Sequence, residues 1–293
     1  MVRLLCLTLI VLLLAGCVSA PETPETTPPT TVPMTTATPT TEPIVTGWVE
    51  DAGLRYFYDS DGEAVTGWQE IDGLTYYFCE DGAMATGQVM IDETAFHFTS
   101  QGQQVLVVNP WNYVPEGYVP DLVDLSAAYA TEGNLVDRSC YEALIAMIDD
   151  CNAVCPQVMV LSSYRTQEHQ TKNYIRKVNY YLNLGYSQED AEKEAATIIA
   201  IPGTSEHQLG LAVDIIDTRL WALEEEQADL PAQQWLMENS WRYGFILRYP
   251  KDKIDETGII YEPWHYRYVG IELATELHDL DLTLEAYLQN LTR

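Results

Sequence analysis

Histidine is scarce in this chain, five in 293 residues, and two of the five stand in dense polar blocks. The first block reads Ser205-Glu206-His207-Gln208-Leu209-Gly210-Leu211-Ala212-Val213-Asp214, preceded by Pro202-Gly203-Thr204. The second reads Glu262-Pro263-Trp264-His265-Tyr266-Arg267-Tyr268. A catalytic zinc centre needs three protein ligands from His, Asp, Glu or Cys and keeps a fourth position open. His207, Asp214 and His265 supply two imidazoles and one carboxylate. Asp214 interrupts an otherwise apolar run, residues 211–216, where an ionised carboxylate is costly without a cation or hydrogen bonds. A metal would neutralise it. Glu262 lies three residues before His265, with Pro263 breaking strand alternation between them, so it can face the open side as general base. Each piece alone has an ordinary explanation, a satisfied polar histidine or a capping aspartate. Together they favour a metal centre.

Upstream, Ser162-Ser163-Tyr164-Arg165-Thr166-Gln167-Glu168-His169-Gln170 follows an apolar strand at 158–161. The chain has 15 Lys+Arg against 44 Asp+Glu, a formal charge of -29. An arginine held at the end of a core strand in so acidic a protein is suited to grip a carboxylate bidentately; a structural salt bridge is the competing explanation. The same charge disfavours nucleic acid and anionic headgroups, which are bound by clustered cations.

Hydrophobic spacing places these residues on an α+β framework. Helices are expected near 139–151, 167–183 and 187–199, with further helices at 235–243 and 271–288, the last broken near Asp279. A small antiparallel sheet flanked by these helices should carry 157–163, 211–216 and 261–269. His207 and Asp214, with Gly210 between them, fit a strand, a tight turn and a returning strand. Cys140 and Cys151 would lie about 16 Å apart along one helix at 1.5 Å per residue, too far to bridge. Cys155 can fold back toward Cys151, Cys79 has no evident partner, and a zinc site at Cys151-x-x-x-Cys155 lacks a second ligand pair. Buried thiols or a disulfide fit those cysteines better.

At the N-terminus, Arg3 precedes an apolar run at 4–16, shorter than the roughly 20 residues a membrane helix needs but of signal-peptide length. Leu14-Ala15-Gly16-Cys17 resembles the lipobox of bacterial lipoproteins, which implies cleavage after residue 16 and lipidation of Cys17; an ordinary secretory signal is the alternative. Residues 17–44 are rich in Pro and Thr with little to bury, as in an extended tether. The protein is therefore expected to be extracytoplasmic, held to the membrane by a lipid and facing the cell wall.

Residues 45–106 repeat with a period of 20, seen in Thr46-Gly47-Trp48, Thr66-Gly67-Trp68 and Thr86-Gly87-Gln88. Each unit continues with an aromatic strand, such as Tyr56-Phe57-Tyr58, and a glycine turn, such as Asp61-Gly62. The combination is a hairpin signal, and a 20-residue hairpin must stack on its neighbours to bury its aromatic face. The expectation is a short β-hairpin repeat solenoid. The pattern resembles the cell-wall-binding repeats of choline-binding and glucan-binding proteins. That resemblance implies a cage or stacking platform for choline or wall glycan, with Trp48, Trp68, Tyr56 and Tyr76 as candidates. Solenoid core is an equally good account of them, and the last unit lacks the tryptophan.

The three polar blocks resemble, in order, those of the VanY-type zinc D-alanyl-D-alanine carboxypeptidases, which share a fold with Hedgehog-like domains. The resemblance covers about residues 107–285. It implies one catalytic zinc on His207, Asp214 and His265, Glu262 as base, and Arg165 on the terminal carboxylate of a peptidoglycan stem peptide, with Gln170 and Ser205 lining the site. The organisation implied is a signal at 1–16, a tether at 17–44, repeats at 45–106 and a zinc carboxypeptidase domain at 107–293. Removal of the C-terminal D-Ala is the expected activity. An L,D-carboxypeptidase trimming tetrapeptides, or a non-catalytic cell-wall-binding lipoprotein, are the alternatives.

Overall fold

A computed structural model describes residues 44–291 apart from Gly73 and Pro156; the signal segment, Cys17 and nearly all of the tether lie outside the described residues. Each 20-residue unit forms one antiparallel hairpin: β1 (Gly47–Asp51) with β2 (Leu54–Tyr58), β3 (Gly67–Ile71) with β4 (Leu74–Phe78), and β5 (Gly87–Ile91) with β6 (Thr94–Phe98). Register sets Trp48 opposite Phe57 and Trp68 opposite Tyr77. The hairpins close in mid-repeat, where Ala52, Asp72, Asp92 and Glu93 take positive φ. The Asp-Gly signal therefore marks a different turn from the one expected. After β2, Gly62 lets the chain double back so that Tyr58 bridges Ala64, and the same bridge recurs at Phe78–Met84 and Phe98–Gln104. Backbone bonds from Met84 N to Arg55 O and from Gln104 N to Thr75 O then tie each unit to the one before. Phe78 and Phe98 are wholly buried between units, which is how a hairpin too small for its own core acquires one.

A three-residue pair, β7 (Leu122–Asp124) and β8 (Leu135–Asp137), leads into α1 (Arg138–Val154). Asp137 caps α1 by accepting from Ser139 N. Cys140, Leu144, Met147, Ile148 and Cys151 follow helical spacing and pack under the sheet. That sheet has the order β11-β12-β10-β9, all antiparallel, formed by β9 (Val158–Ser162), β10 (Ala212–Asp217), β11 (Phe245–Leu247) and β12 (His265–Tyr268). All six β10 residues are buried, so the apolar run around Asp214 is a central strand covered on both faces.

Helix α2 (Gln167–Asn183) spans the expected residues, while α3 (Gln188–Ala196) stops short of 199. The two pack through Val178, Ala191 and Ala195 beside the site. Helix α4 (Pro231–Asn239) begins earlier than residue 235, because Pro231 is well placed in a first turn, and 240–243 tightens into a 3₁₀ turn ended by Gly244. After the short α5 (Ile254–Thr257) comes β12, four residues of the expected 261–269; Glu262 precedes it in a turn. The last helical stretch divides into α6 (Ile271–Leu280) and α7 (Leu284–Leu291), the break falling at Asp281, whose φ of +52° ends α6. Leu284, Tyr287 and Leu288 of α7 share a cluster with Val105, so the segment that follows the last hairpin packs directly on α7. The four described cysteines are free thiols. Cys151 is turned into the core toward Ala232 O, away from any bridge to half-exposed Cys155 at the helix end. Among the described residues no helix is long and apolar enough to cross a membrane.

Candidate metal centre and active site

Cross-strand register builds the centre. Asp214 on β10 pairs with His265 on β12 and with Ser162 at the end of β9, so three strands bring these residues side by side. His207 arrives differently from the expected strand-turn-strand. It lies on a 3₁₀ turn, Glu206–Leu209, which Gly210 ends with a φ of +74° before β10 starts. His207 Nδ1 is 2.7 Å from Ser163 O, which fixes the proton on Nδ1 and leaves Nε2 as a lone-pair donor. That Nε2 lies 3.3 Å from Asp214 Oδ1, and His265 Nδ1 lies 3.1 Å from the same oxygen. Ligands at zinc distances in a tetrahedron sit about 3.3 Å apart. The three ligand atoms lie within 4.8 Å of one another and all three residues are buried. Two imidazoles and a carboxylate gathered at that spacing fit a zinc ion.

The electrostatics of these side chains show why a cation suits them. Burial favours the neutral acid of Asp214, yet His207 and Arg165 hold its pKa well below the usual carboxylate range. Burial lowers His207 to about 4, Arg165 adding to the effect. Burial also pulls on His265, but its contacts with Asp214 and Glu206 outweigh this and raise it to about 9. Glu262, buried and 3.5 Å from His265 Nδ1, is pushed up to about 8 by burial, with Asp214 opposing its ionisation too. A bound cation would offset the buried negative charge of Asp214, favour the ionised form of Glu262 and displace the proton of His265.

The centre opens on a cleft of about 180 Å³ whose walls include Arg165, Gln170, Lys177, Ser205 and Glu262. Arg165 is half engaged: Nε and Nη2 donate to Ser162 Oγ, and Nη2 also reaches Asp214 Oδ2 at 2.6 Å. The carboxylate grip and the structural salt bridge are thus not exclusive, since Nη1 has no partner among the described residues. Gln170 donates to Ala200 O and keeps Oε1 buried without a partner among the described residues. Three residues escaped the sequence reading. Tyr249 lays its ring 4.7 Å from that of His265, Glu206 approaches the same histidine from behind, and Lys177 lines the cleft with no carboxylate partner among the described residues. Glu206 was legible as the neighbour of His207; Lys177 and Tyr249 had no local signal.

In the repeats, Trp48 meets Tyr76 edge-on at 5.1 Å, with the Arg55 guanidinium 4.4 Å from its ring centre. Trp68 packs on Tyr77 and Phe96 one unit further on and stays 41% exposed, while Tyr56 lies beside Gly82, apart from both tryptophans' ring contacts.

A three-ligand centre with an open side and a carboxylate beside it defines a single-metal hydrolase. The pattern of the D-alanyl-D-alanine carboxypeptidase family, VanY, matches residues 133–271; a choline-binding repeat pattern matches 65–111, and a cell-wall-binding repeat pattern matches 46–64. A D-alanyl-D-alanine carboxypeptidase of Enterococcus faecalis is 42% identical over 189 residues, covering 64% of this chain and 67% of that protein. The structure of a vancomycin-resistance D,D-pentapeptidase VanY variant in complex with Zn(II) superposes with a TM-score of 0.56 at 43% identity, over 62% of this chain and 97% of that one. The LD-carboxypeptidase LdcB superposes with a TM-score of 0.55 at 34% identity, over 62% of this chain and 84% of that one. The chain belongs to the VanY-type D-alanyl-D-alanine carboxypeptidase family.

Proposed function

We propose that this chain removes the C-terminal D-Ala from peptidoglycan stem peptides, using one zinc ion held by His207, Asp214 and His265. The observation that carries the proposal is the convergence of those three ligand atoms next to Glu262 in an open cleft. Bound there, zinc supplies a Lewis acid for the scissile carbonyl and acidifies a water toward neutrality. Glu262 accepts the proton of the attacking water and passes it to the departing amine. Ser163 O keeps His207 in the ligating tautomer. Ser162 and Asp214 hold the Arg165 guanidinium so that Nη1 is presented to the terminal carboxylate, and fixing the chain end sets which bond is cut. Gln170 Oε1 is an acceptor for a substrate amide, and Ser205 supplies a hydroxyl on the same wall.

L,D-trimming of tetrapeptides is the second reading, supported by the likeness to LdcB. Mass spectrometry of stem peptides after digestion separates the two: loss of D-Ala from pentapeptides supports the first, and loss from tetrapeptides alone replaces it. The ligand set and Glu262 weigh against a non-catalytic wall protein. The repeats are proposed to hold the enzyme at the wall through choline or glycan, and Cys17 to anchor it by lipid, which accords with an extracellular, cell-wall-associated role. Radiolabelled palmitate recovered with wild type but not with Cys17→Ser would establish the anchor; label on both would refute it.

A further inference from the structure

Glu206 and His265 share an unusual gap. His265 Nε2 and Glu206 Oε2 are both buried, both lack a hydrogen-bond partner among the described residues, and stand 3.7 Å apart. That separation is a few tenths of an ångström beyond a hydrogen bond. Buried polar atoms left unpaired are costly, so a facing pair of them calls for an explanation.

The rest of Glu206 is tightly committed. Its Oε1 accepts from Arg248 Nε and Arg267 Nη1, each at 2.8 Å. Arg248 is gripped from the other side by Glu285, with contacts of 2.8 and 2.5 Å, and Glu285 accepts from Asn109 Nδ2 at 2.9 Å. Two arginines on one oxygen leave the other oxygen aimed at the histidine. On the histidine, Nδ1 faces Asp214 Oδ1 at 3.1 Å, so for Nδ1 to serve as a metal ligand the ring proton must stand on Nε2.

We infer that Glu206 is a positioning residue for the metal ligand His265: its Oε2 accepts the Nε2–H, fixing the ring's proton and orientation, while Arg248, Arg267 and Glu285 hold Glu206 in place. The arrangement is a carboxylate–histidine–metal relay in which the carboxylate never touches substrate. It rests on His265 being a metal ligand.

The test uses the full chain with Glu206→Gln. The carboxamide oxygen can still accept from the two arginines, but its NH₂ then confronts His265 Nε2–H, donor against donor. Zinc affinity, read by competition with a chromogenic chelator, is expected to fall about 10- to 100-fold, the usual range for losing such a partner. Folding is checked by near-ultraviolet circular dichroism. Independently of any variant, ¹⁵N-edited NMR of the zinc-loaded wild type should show a downfield, slowly exchanging His265 Nε2 proton. An equal zinc affinity in a folded Glu206→Gln, or a rapidly exchanging Nε2 proton in wild type, overturns the inference. If wild type itself takes up no zinc, it is the metal-ligand assignment that fails.

Discussion

The repeat array and the metal centre solve the same problem at different ranges. In the array, Trp48 meets Phe57 across its own hairpin and Tyr76 on the next, contacts that reach no further than the adjacent unit. At the centre, residues 165, 207, 214 and 265 meet because three strands and a 3₁₀ turn bring a hundred residues of sequence to one place. The array buys its order from neighbours, so it tolerates an aberrant last unit. The centre has no such redundancy: each of His207, Asp214 and His265 comes from a different element.

The contrast can be broken or sharpened by substitution. The largest effect is expected at the centre: His265→Ala should lose stoichiometric zinc and reduce D-Ala release by 1,000-fold or more, measured by metal analysis and a coupled D-Ala assay. Glu262→Gln should retain zinc yet lose about 100- to 10,000-fold in turnover, the range for a missing general base. Turnover unchanged in Glu262→Gln would remove that residue from the chemistry. In the array, Phe78→Ala removes a fully buried ring between units and should cost about 3–5 kcal/mol of stability, read by chemical denaturation, with the zinc content of the folded fraction unaltered. Trp68→Ala should weaken adsorption to purified cell wall while leaving hydrolysis of a soluble pentapeptide intact. The smallest effect belongs to Arg55→Gln, which uncovers Trp48 and forfeits a contact of about 0.5–1 kcal/mol at a half-exposed site.

Much of this was legible from sequence, for identifiable reasons. The three residues that the structure gathers could be singled out because a carboxylate in the apolar run of β10 and two histidines in polar blocks have few inexpensive explanations. α2 was placed correctly because Thr166 caps it and its amphipathic spacing is regular. What could not be read was set by tertiary contact. The three-residue β11 carries no periodic signal and exists because Phe245 and Leu247 pair with Tyr268 and Tyr266. The repeat turns were misplaced because the first two units each carry two glycine-bearing turns and only the register distinguishes them. The buried Glu206–Arg248–Glu285 chain joins three distant segments, and nothing in the sequence signals that they meet.

The most direct test of the account is turnover of a D-Ala-D-Ala-terminated pentapeptide by the protein as purified, after removal of metal by chelator and dialysis, and after return of one equivalent of zinc. The account predicts about one zinc per chain, loss of D-Ala release with the metal, and recovery on its return. Undiminished release from metal-free protein would contradict it.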